Sequence, residues 1–437
     1  MTIENAPPGT IRAALRYRGF RWLLAALAVS QIGDWLYNLA LVVLVYDRTH
    51  SPLWAGVTTA ARVVPMVALG PLGGIAADRL GRRRLMIGCD LARMALMLLL
   101  ALVAAARLPI LLAPLIAALA TAAAAPYLPC TSAITPRVVA DDADLPGANA
   151  ARSAVTGLGI VGGPALGGLL LLLGSPTLAF VVNALTFGFA ALCIPAVGGA
   201  AVFRASRQPG RRVGLRHDLA SGAAALRANP AALRLIGADV MCSVLYGAQT
   251  VLLLAVARRV GLGAGGYGYL FAGIGVGGLI GTALAGRAIR CPHPRYVLAA
   301  ALTVAGLPMS LLAAVHWPAV AIGLTGLTGT GALIVEIMTE TCLQRTLDEE
   351  VFGRAYGLAI PAALAGIVAG SLIAPLLSGA LGTPGALAAT GGAVLCYAAL
   401  LLRRPRTASA TAQVHTPAPQ TGAAVKAITA TATTGGE

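Results

Sequence analysis

Charge is scarce in this chain. Asp, Glu, Lys and Arg make up 11% of its 437 residues, whereas a soluble domain carries about a quarter. Lysine is almost missing. Lys426 is the single one, so nearly all of the +16 net charge rests on arginine. Aromatic residues are 5%, so the apolarity comes from Ala, Leu, Val and Gly. The Arg residues fall in short connectors between apolar runs, which removes the nucleic-acid reading that a basic chain would otherwise invite. None of the 7 Cys stands in a CxxC spacing, which argues against a disulfide framework or a metal site. His50 and His316 fall in or near loops on one side, His217 and His293 in loops on the other. No GxxxxGK[ST] loop is present, which excludes ATP-driven work by this chain. No constellation of an enzyme appears, and no bound cofactor is called for.

What is present is long hydrophobic runs. The chain is 58% hydrophobic with a mean hydropathy of +0.81. A membrane span needs about 20 apolar residues. Twelve such runs are predicted, at 21–46, 53–77, 85–106, 109–133, 149–173, 177–197, 233–257, 265–287, 295–315, 318–342, 354–380 and 384–402. The fold class is therefore an all-α membrane protein. Pro109 and Pro318 mark tight turns between spans. The first run lacks a small-residue cleavage site and reads as a span. With twelve spans, the connectors rich in Arg all fall on one side: Arg12–Arg21, Arg79–Arg84, Arg204–Arg227, Arg287–Arg290 and Arg403–Arg406. The other side has Arg48, Arg107, Arg258 and Arg259. Both termini and the middle loop are then expected in the cytoplasm.

The predicted organisation is a cytoplasmic N-tail (1–20), a six-helix bundle (21–197), a cytoplasmic linker (198–232), a second six-helix bundle (233–402) and a disordered Ala/Thr-rich tail (403–437). The halves resemble each other. Gly159-x-x-x-Gly163-Pro164 in span 5 answers to Gly366-x-x-x-Gly370-Ser371 in span 11. Each is preceded by a loop with Arg and three acids: Arg137 with Asp141, Asp142 and Asp144, then Arg345 with Asp348, Glu349 and Glu350. Parallel halves of this kind are the mark of a transporter that rocks about a central site.

The connector Gly74-Ile75-Ala76-Ala77-Asp78-Arg79-Leu80-Gly81-Arg82-Arg83-Arg84 resembles the loop 2–3 signature of the major facilitator superfamily. Gly74, Asp78, Arg79, Gly81, Arg82 and Arg83 match it; Ala76 stands where the pattern has Leu. Gly159, Gly163, Pro164, Gly167 and Gly168 match the superfamily's exporter motif in span 5. Ser30–Trp35, Arg62–Pro65 and Gly353–Leu358 are similar to the bacterial branch of macrolide-efflux and enterobactin-type siderophore exporters. The resemblance covers 12–402 and implies two pseudo-symmetric six-helix bundles. It also implies a latch on the cytoplasmic side, Asp78 facing Gly353 and Arg354 at the start of span 11. Many drug–proton antiporters have an Arg in span 4; this chain has none there, so either Arg62 takes that role or the coupling differs.

Charge at mid-membrane costs about 2.5–3.5 kcal/mol on insertion scales, so it marks function or a partner. Gln31, Asp34 and Asn38 share one face of span 1. Asp34 and Arg62 lie at similar depth on antiparallel spans and are expected to pair or to face one cavity. Asp239, Ser243, Tyr246 and Thr250 form a polar stripe on span 7. Glu336 is the deeper of two acids on span 10, with Glu340 expected to partner Arg345. Asp90 and Arg93, at i and i+3, are expected to form a local ion pair near the cytoplasmic face. Arg152 is expected to snorkel to the interface, and Trp35 is the Trp placed to touch cargo.

These features imply a secondary active exporter of small hydrophobic or amphipathic compounds, driven by proton exchange, monomeric, in a bacterial cytoplasmic membrane. The alternative is a dedicated exporter of a metabolite such as a siderophore, or a lysolipid flippase, for which the intramembrane Arg residues would suit an anionic cargo. A transport-dead sensor is a third class, and the central acids argue against it.

Overall fold

A computed structural model describes residues 7, 9–79, 81–173, 175–199, 201–203, 224, 226–227, 229–291, 293–347 and 349–403. Within that range, side chains at 70–79, 128, 160–165, 168–169, 171–173, 263–264, 346 and 349–356 are outside the description. Among the described residues every regular element is helical. In order they are α1 (Ile11–Ala14), α2 (Arg18–Thr49), α3 (Pro52–Arg79), α4 (Arg82–Ala105), α5 (Leu112–Ala124), α6 (Tyr127–Val138), α7 (Leu145–Leu173), α8 (Pro176–Val197), α9 (Pro230–Arg259), α10 (Gly263–Ala288), α11 (Pro294–Leu311), α12 (Pro318–Thr346) and α13 (Glu349–Leu402). Short 3₁₀ turns occupy Asp142–Asp144 and Leu312–Ala314.

Ten stretches among the described residues are long and apolar enough to cross a membrane. α7 carries the predicted fifth span. α13 covers spans 11 and 12, divided at Gly382, whose φ of 72° and ψ of 166° reverse the chain. Past that point the chain returns: Ser310 Oγ donates to Ala388 O at 3.4 Å, and Tyr397 Oη to Arg234 O at 3.0 Å. The chain is thus a multi-pass integral membrane protein with the twelve spans expected. Span 4 departs in one respect. It is divided into α5 and α6 at Ala125-Pro126, where both residues keep helical dihedrals but proline has no N–H to donate into the helix ladder.

The surface is apolar where lipid would lie. Leu192 is 78% exposed, Leu185 67% and Leu158 66%, the reverse of a soluble fold. Between helices, burial from water supplies little drive, and close packing with small residues takes its place. Buried threonines satisfy their hydroxyls on the preceding turn: Thr59 on Ala55 O at 3.1 Å, Thr135 on Thr131 O at 2.7 Å and Thr390 on Ala386 O at 2.7 Å. α2, α4, α7 and α8 pack together, as do α9 with α13, α10 with α12 and α11 with both α12 and α13. The halves meet through α3 on α13 and α7 on α10. Gly56 of α3 lies against the Ser371 carbonyl of α13, with no room for a side chain.

The N-terminal segment docks on the turn before α7. Asp144 is buried there and accepts from Gly9 N at 3.2 Å and Tyr17 Oη at 3.1 Å. Arg16 closes an ion pair with it at 2.7 Å.

Candidate functional site

Two faces of the molecule can be told apart by the helix ends. One carries the starts of α2, α4 and α9 and the end of α12, and is rich in Arg; the other carries the α2–α3, α9–α10 and α11–α12 turns. A cavity of about 400 Å³ lies between the halves and runs toward the Arg-rich face. Its walls come from α9, α10, α12 and α13, with Trp35 of α2 from the first half. At one end it reaches Leu343, three residues from the end of α12. At the other it stops at Gln249, Phe271 and Thr328, well short of the far turns.

Asp239, Glu336 and Glu340 all line this cavity. They come together because 336 and 340 are one turn apart on α12, and Asp239 faces them from α9. They lie close enough to repel one another. Among the described residues none of them has a basic partner within ion-pair distance, and no Arg, Lys or His lines the cavity. The expected Glu340–Arg345 pair is not formed: Arg345 is exposed beyond the rim while Glu340 turns inward. The waist of the cavity is aromatic. Tyr246 and Phe271 meet edge to face at 6.2 Å, and Trp35 stands across from them.

A smaller space of about 20 Å³, room for about one water, lies next to it. Trp35, Tyr246 and Phe271 border both. Arg62, Asn38, Thr59, Thr250 and Tyr267 complete its wall. The Arg62 guanidinium sits 5.4 Å from the centre of the Tyr37 ring, a cation–π contact. Asn38 Oδ1 is buried with no hydrogen-bond partner.

Asp34 is a correction to the sequence reading. It does not pair with Arg62 and lines neither space. It accepts two hydrogen bonds from Arg93 of α4, at 2.6 and 2.7 Å. The Arg93 guanidinium also stacks 3.9 Å over the Phe187 ring of α8. Depth along antiparallel spans limits which residues could meet, but helix rotation decides which do. α2 turns the Asp34 side toward α4 and α8, and the Trp35 and Asn38 side toward the second half. The local Asp90–Arg93 ion pair expected from their spacing is likewise not formed, the Arg93 guanidinium being bound to Asp34. Both Asp90 carboxylate oxygens and the nearby Tyr127 hydroxyl are buried without a well-formed hydrogen bond. Gln31 is also turned away from the cavity and packs on Gly159 of α7, where a side chain would overlap it. Arg152 is half-buried and reaches Thr135 Oγ1 at 3.5 Å, so it packs on α6 instead of extending to the interface.

In the exporter motif, Gly167 adjoins Leu36 of α2. The side-chain surroundings of Gly163, Pro164 and Gly168 lie outside the described residues, as do those of Gly74, Asp78, Arg79 and Arg354. The expected latch therefore falls outside the description. Gly81, Arg82 and Arg83 are within it. Gly81 starts α4 with φ 73° and open space where a side chain would be, so glycine is required there by backbone conformation and not by packing. Arg82 is buried and Arg83 half-buried.

The far face is closed by arginines that sequence reasoning had used only to orient the chain, together with Asp47, which it had missed. Asp47 at the end of α2 and Arg258 at the end of α9 form an ion pair across the halves. Arg258 also covers the Tyr46 ring at 4.4 Å. Thr59 and Thr250 hydroxyls meet beneath them at 3.4 Å. The next residue in each half makes the same contact as its counterpart. Arg48 donates to Ala104 O at 2.7 Å, at the end of α4. Arg259 donates to the carbonyls of Leu312, Ala313 and Val315, just past α11. The Asp47-Arg48 and Arg258-Arg259 dipeptides at matching helix ends were the available signal.

The sequence profile of the Major Facilitator Superfamily matches residues 23–362. The chain belongs to this superfamily. It is a transport protein and not an enzyme. It is 25% identical over 355 residues to the MFS-type transporter YfiS of Bacillus subtilis (strain 168), covering 78% of this chain and 82% of that one. It is 28% identical over 269 residues to "Putative bacilysin exporter BacE" of Bacillus amyloliquefaciens, covering 60% and 65%. Among solved structures, the nucleoside transporter NupG superposes with a TM-score of 0.69 at 13% identity, covering 87% of this chain and 98% of that one. A POT family transporter in complex with a thioalcohol-conjugated peptide gives 0.67 at 12%, covering 88% and 95%. At such identities the likeness speaks for the fold alone.

Proposed function

We propose that this protein is a secondary active exporter of small hydrophobic or amphipathic compounds, working by alternating access and proton antiport. The observation that carries this reading is the cavity between the halves. It is large enough for a small organic molecule, apolar over most of its wall and closed toward the far face by the Asp47–Arg258 pair. It holds carboxylates at membrane depth that have no basic partner among the described residues. A carboxylate that one conformation accommodates better as the neutral acid, and the other as the anion, lets a proton shift the two-state equilibrium. Glu336 and Asp239 are the residues we assign to this role. The relative named for bacilysin export supports the outward direction. It also favours the second reading, a dedicated exporter of one metabolite.

The protein would lie in the bacterial cytoplasmic membrane as a monomer, with the Arg-rich face and both termini inside. The proton gradient would be its energy source, with no bound cofactor. In this orientation the cavity opens to the cytoplasm. The outward-open state would be held by Asp78 against Gly353 and Arg354, at a positive helix N-terminus. The test is uptake of a panel of fluorescent amphiphiles into inverted vesicles under an imposed pH gradient. Uptake that collapses with the gradient is expected; a flat response across the panel would sink the reading. Asp78→Asn is expected to slow uptake while leaving the amount of inserted protein unchanged.

A further inference from the structure

We propose that the large cavity selects an amphipathic cation that also carries a hydrogen-bond acceptor. This rests on the transporter reading above and names its substrate class. Two observations carry it independently. The first is the charge of the wall: Asp239, Glu336 and Glu340 face the space and, among the described residues, no basic side chain does. The intramembrane arginines that would invite an anion are placed elsewhere. Arg93 is neutralised by Asp34, and Arg62 stands in the adjoining small space over Tyr37.

The second observation is Gln249. It lines the cavity, is only 3% exposed, and its Nε2 has no hydrogen-bond partner. A buried amide donor left without a partner is unfavourable, so the site is short of an acceptor at this position. Gln249 is ten residues from Asp239 on α9, about 15 Å along the axis. Between them lie Tyr246 and, from the other side, Trp35 and Phe271. The arrangement reads in order along the cavity: carboxylates toward the Arg-rich face, an aromatic waist, then a donor. A ligand that satisfies all three has a cationic amine at one end, an apolar or aromatic body, and a carbonyl or ether oxygen at the other. The aromatic faces add a cation–π contribution, and the three carboxylates gain a counter-charge in place of mutual repulsion.

The experiment is equilibrium binding to the purified full chain in lipid nanodiscs, with two isosteric probes of opposite charge. Tetraphenylphosphonium is expected to bind and tetraphenylborate is not. Glu336→Gln should weaken tetraphenylphosphonium by about tenfold, and Asp239→Asn gives a second reading if the first variant folds poorly. Metoprolol, a cationic amine with a phenyl ring and a methyl ether oxygen beyond the ring, tests Gln249. Gln249→Leu should weaken metoprolol about fivefold, the size of one hydrogen bond, and leave tetraphenylphosphonium within about twofold. Equal binding of the two tetraphenyl ions, or no effect of both acid variants, would overturn the proposal. Equal loss of both cations in Gln249→Leu would overturn the acceptor part. Cation binding without movement across vesicles would uphold this site and take down the export reading instead.

Discussion

In the first half of the chain, Asp34 and Arg93 close on each other between α2 and α4, with the Phe187 ring beneath the guanidinium. In the second half, Asp239, Glu336 and Glu340 turn toward the cavity with no cation beside them among the described residues. Both halves place charge at depths where it is costly. One neutralises it within its own packing; the other leaves it available. The difference teaches that an acid inside a membrane helix is not one kind of feature. Asp34 is tied into its own bundle by Arg93, whereas Glu336 faces the cavity. The same contrast recurs at the far face on a smaller scale. Arg48 and Arg259 each tie two helices of their own half together, whereas Asp47 and Arg258, one residue earlier, tie the halves to each other.

The sharpest way to break the comparison is to remove Arg93. Arg93→Leu should leave a partly buried carboxylate without its cation. The expected cost is about 3 kcal/mol, the low end for a buried pair because Asp34 is partly exposed. It would be read as a fall in folded protein by fluorescence-detected size exclusion. Adding Asp34→Asn should restore much of that loss, since the stranded charge goes with it. If the double variant folds no better than the single, the pair is not what couples the two residues.

Glu336→Gln should do the opposite: little change in folded yield and at least about a tenfold drop in gradient-driven uptake. Unchanged uptake would mean that Glu336 belongs with Asp34 as an architectural acid. Asp47→Asn should have a smaller effect. The pair is substantially exposed, which limits it to about 1 kcal/mol, a several-fold shift of population away from the state closed at the far face. Spin labels at the exposed positions 53 and 317, on the far face in opposite halves, should report longer distances; an unchanged distribution would remove the pair from the gate. Smallest is Gly81→Ala, about 1 kcal/mol from backbone strain alone, because nothing packs at that position. It is measured by the thermal melting curve, and a larger loss would point to a contact beyond the backbone.

The spans were legible because their signal is additive. Twenty apolar residues in a row need no knowledge of neighbours, and the twelve runs, the tight turns at Pro109 and Pro318 and the reversal before Pro384 all reappear. The break at Pro126 was also in the sequence, but a proline inside an apolar run reads as tolerated until the chain is seen to divide there. Asp239, Glu336, Tyr246 and Trp35 were found because polarity at membrane depth is itself a signal. Gln249, Phe271 and Asp47 were not, since an amide or a ring in an apolar run, or an acid at a helix end, has nothing to distinguish it locally.

The amino-acid sequence by itself determined that the chain crosses the membrane many times, that its halves are related and that it belongs among membrane transporters. The first follows from composition and hydrophobic run length, which act one segment at a time; the other two rest on motifs and their resemblance to a known family. Only the tertiary structure decided which charges meet. Asp34 could reach Arg62 or Arg93 by depth, and Glu340 could reach Arg345 or the cavity by spacing. Rotation of one helix against its neighbours settled both, and rotation is fixed by close packing across helices that sequence periodicity does not encode.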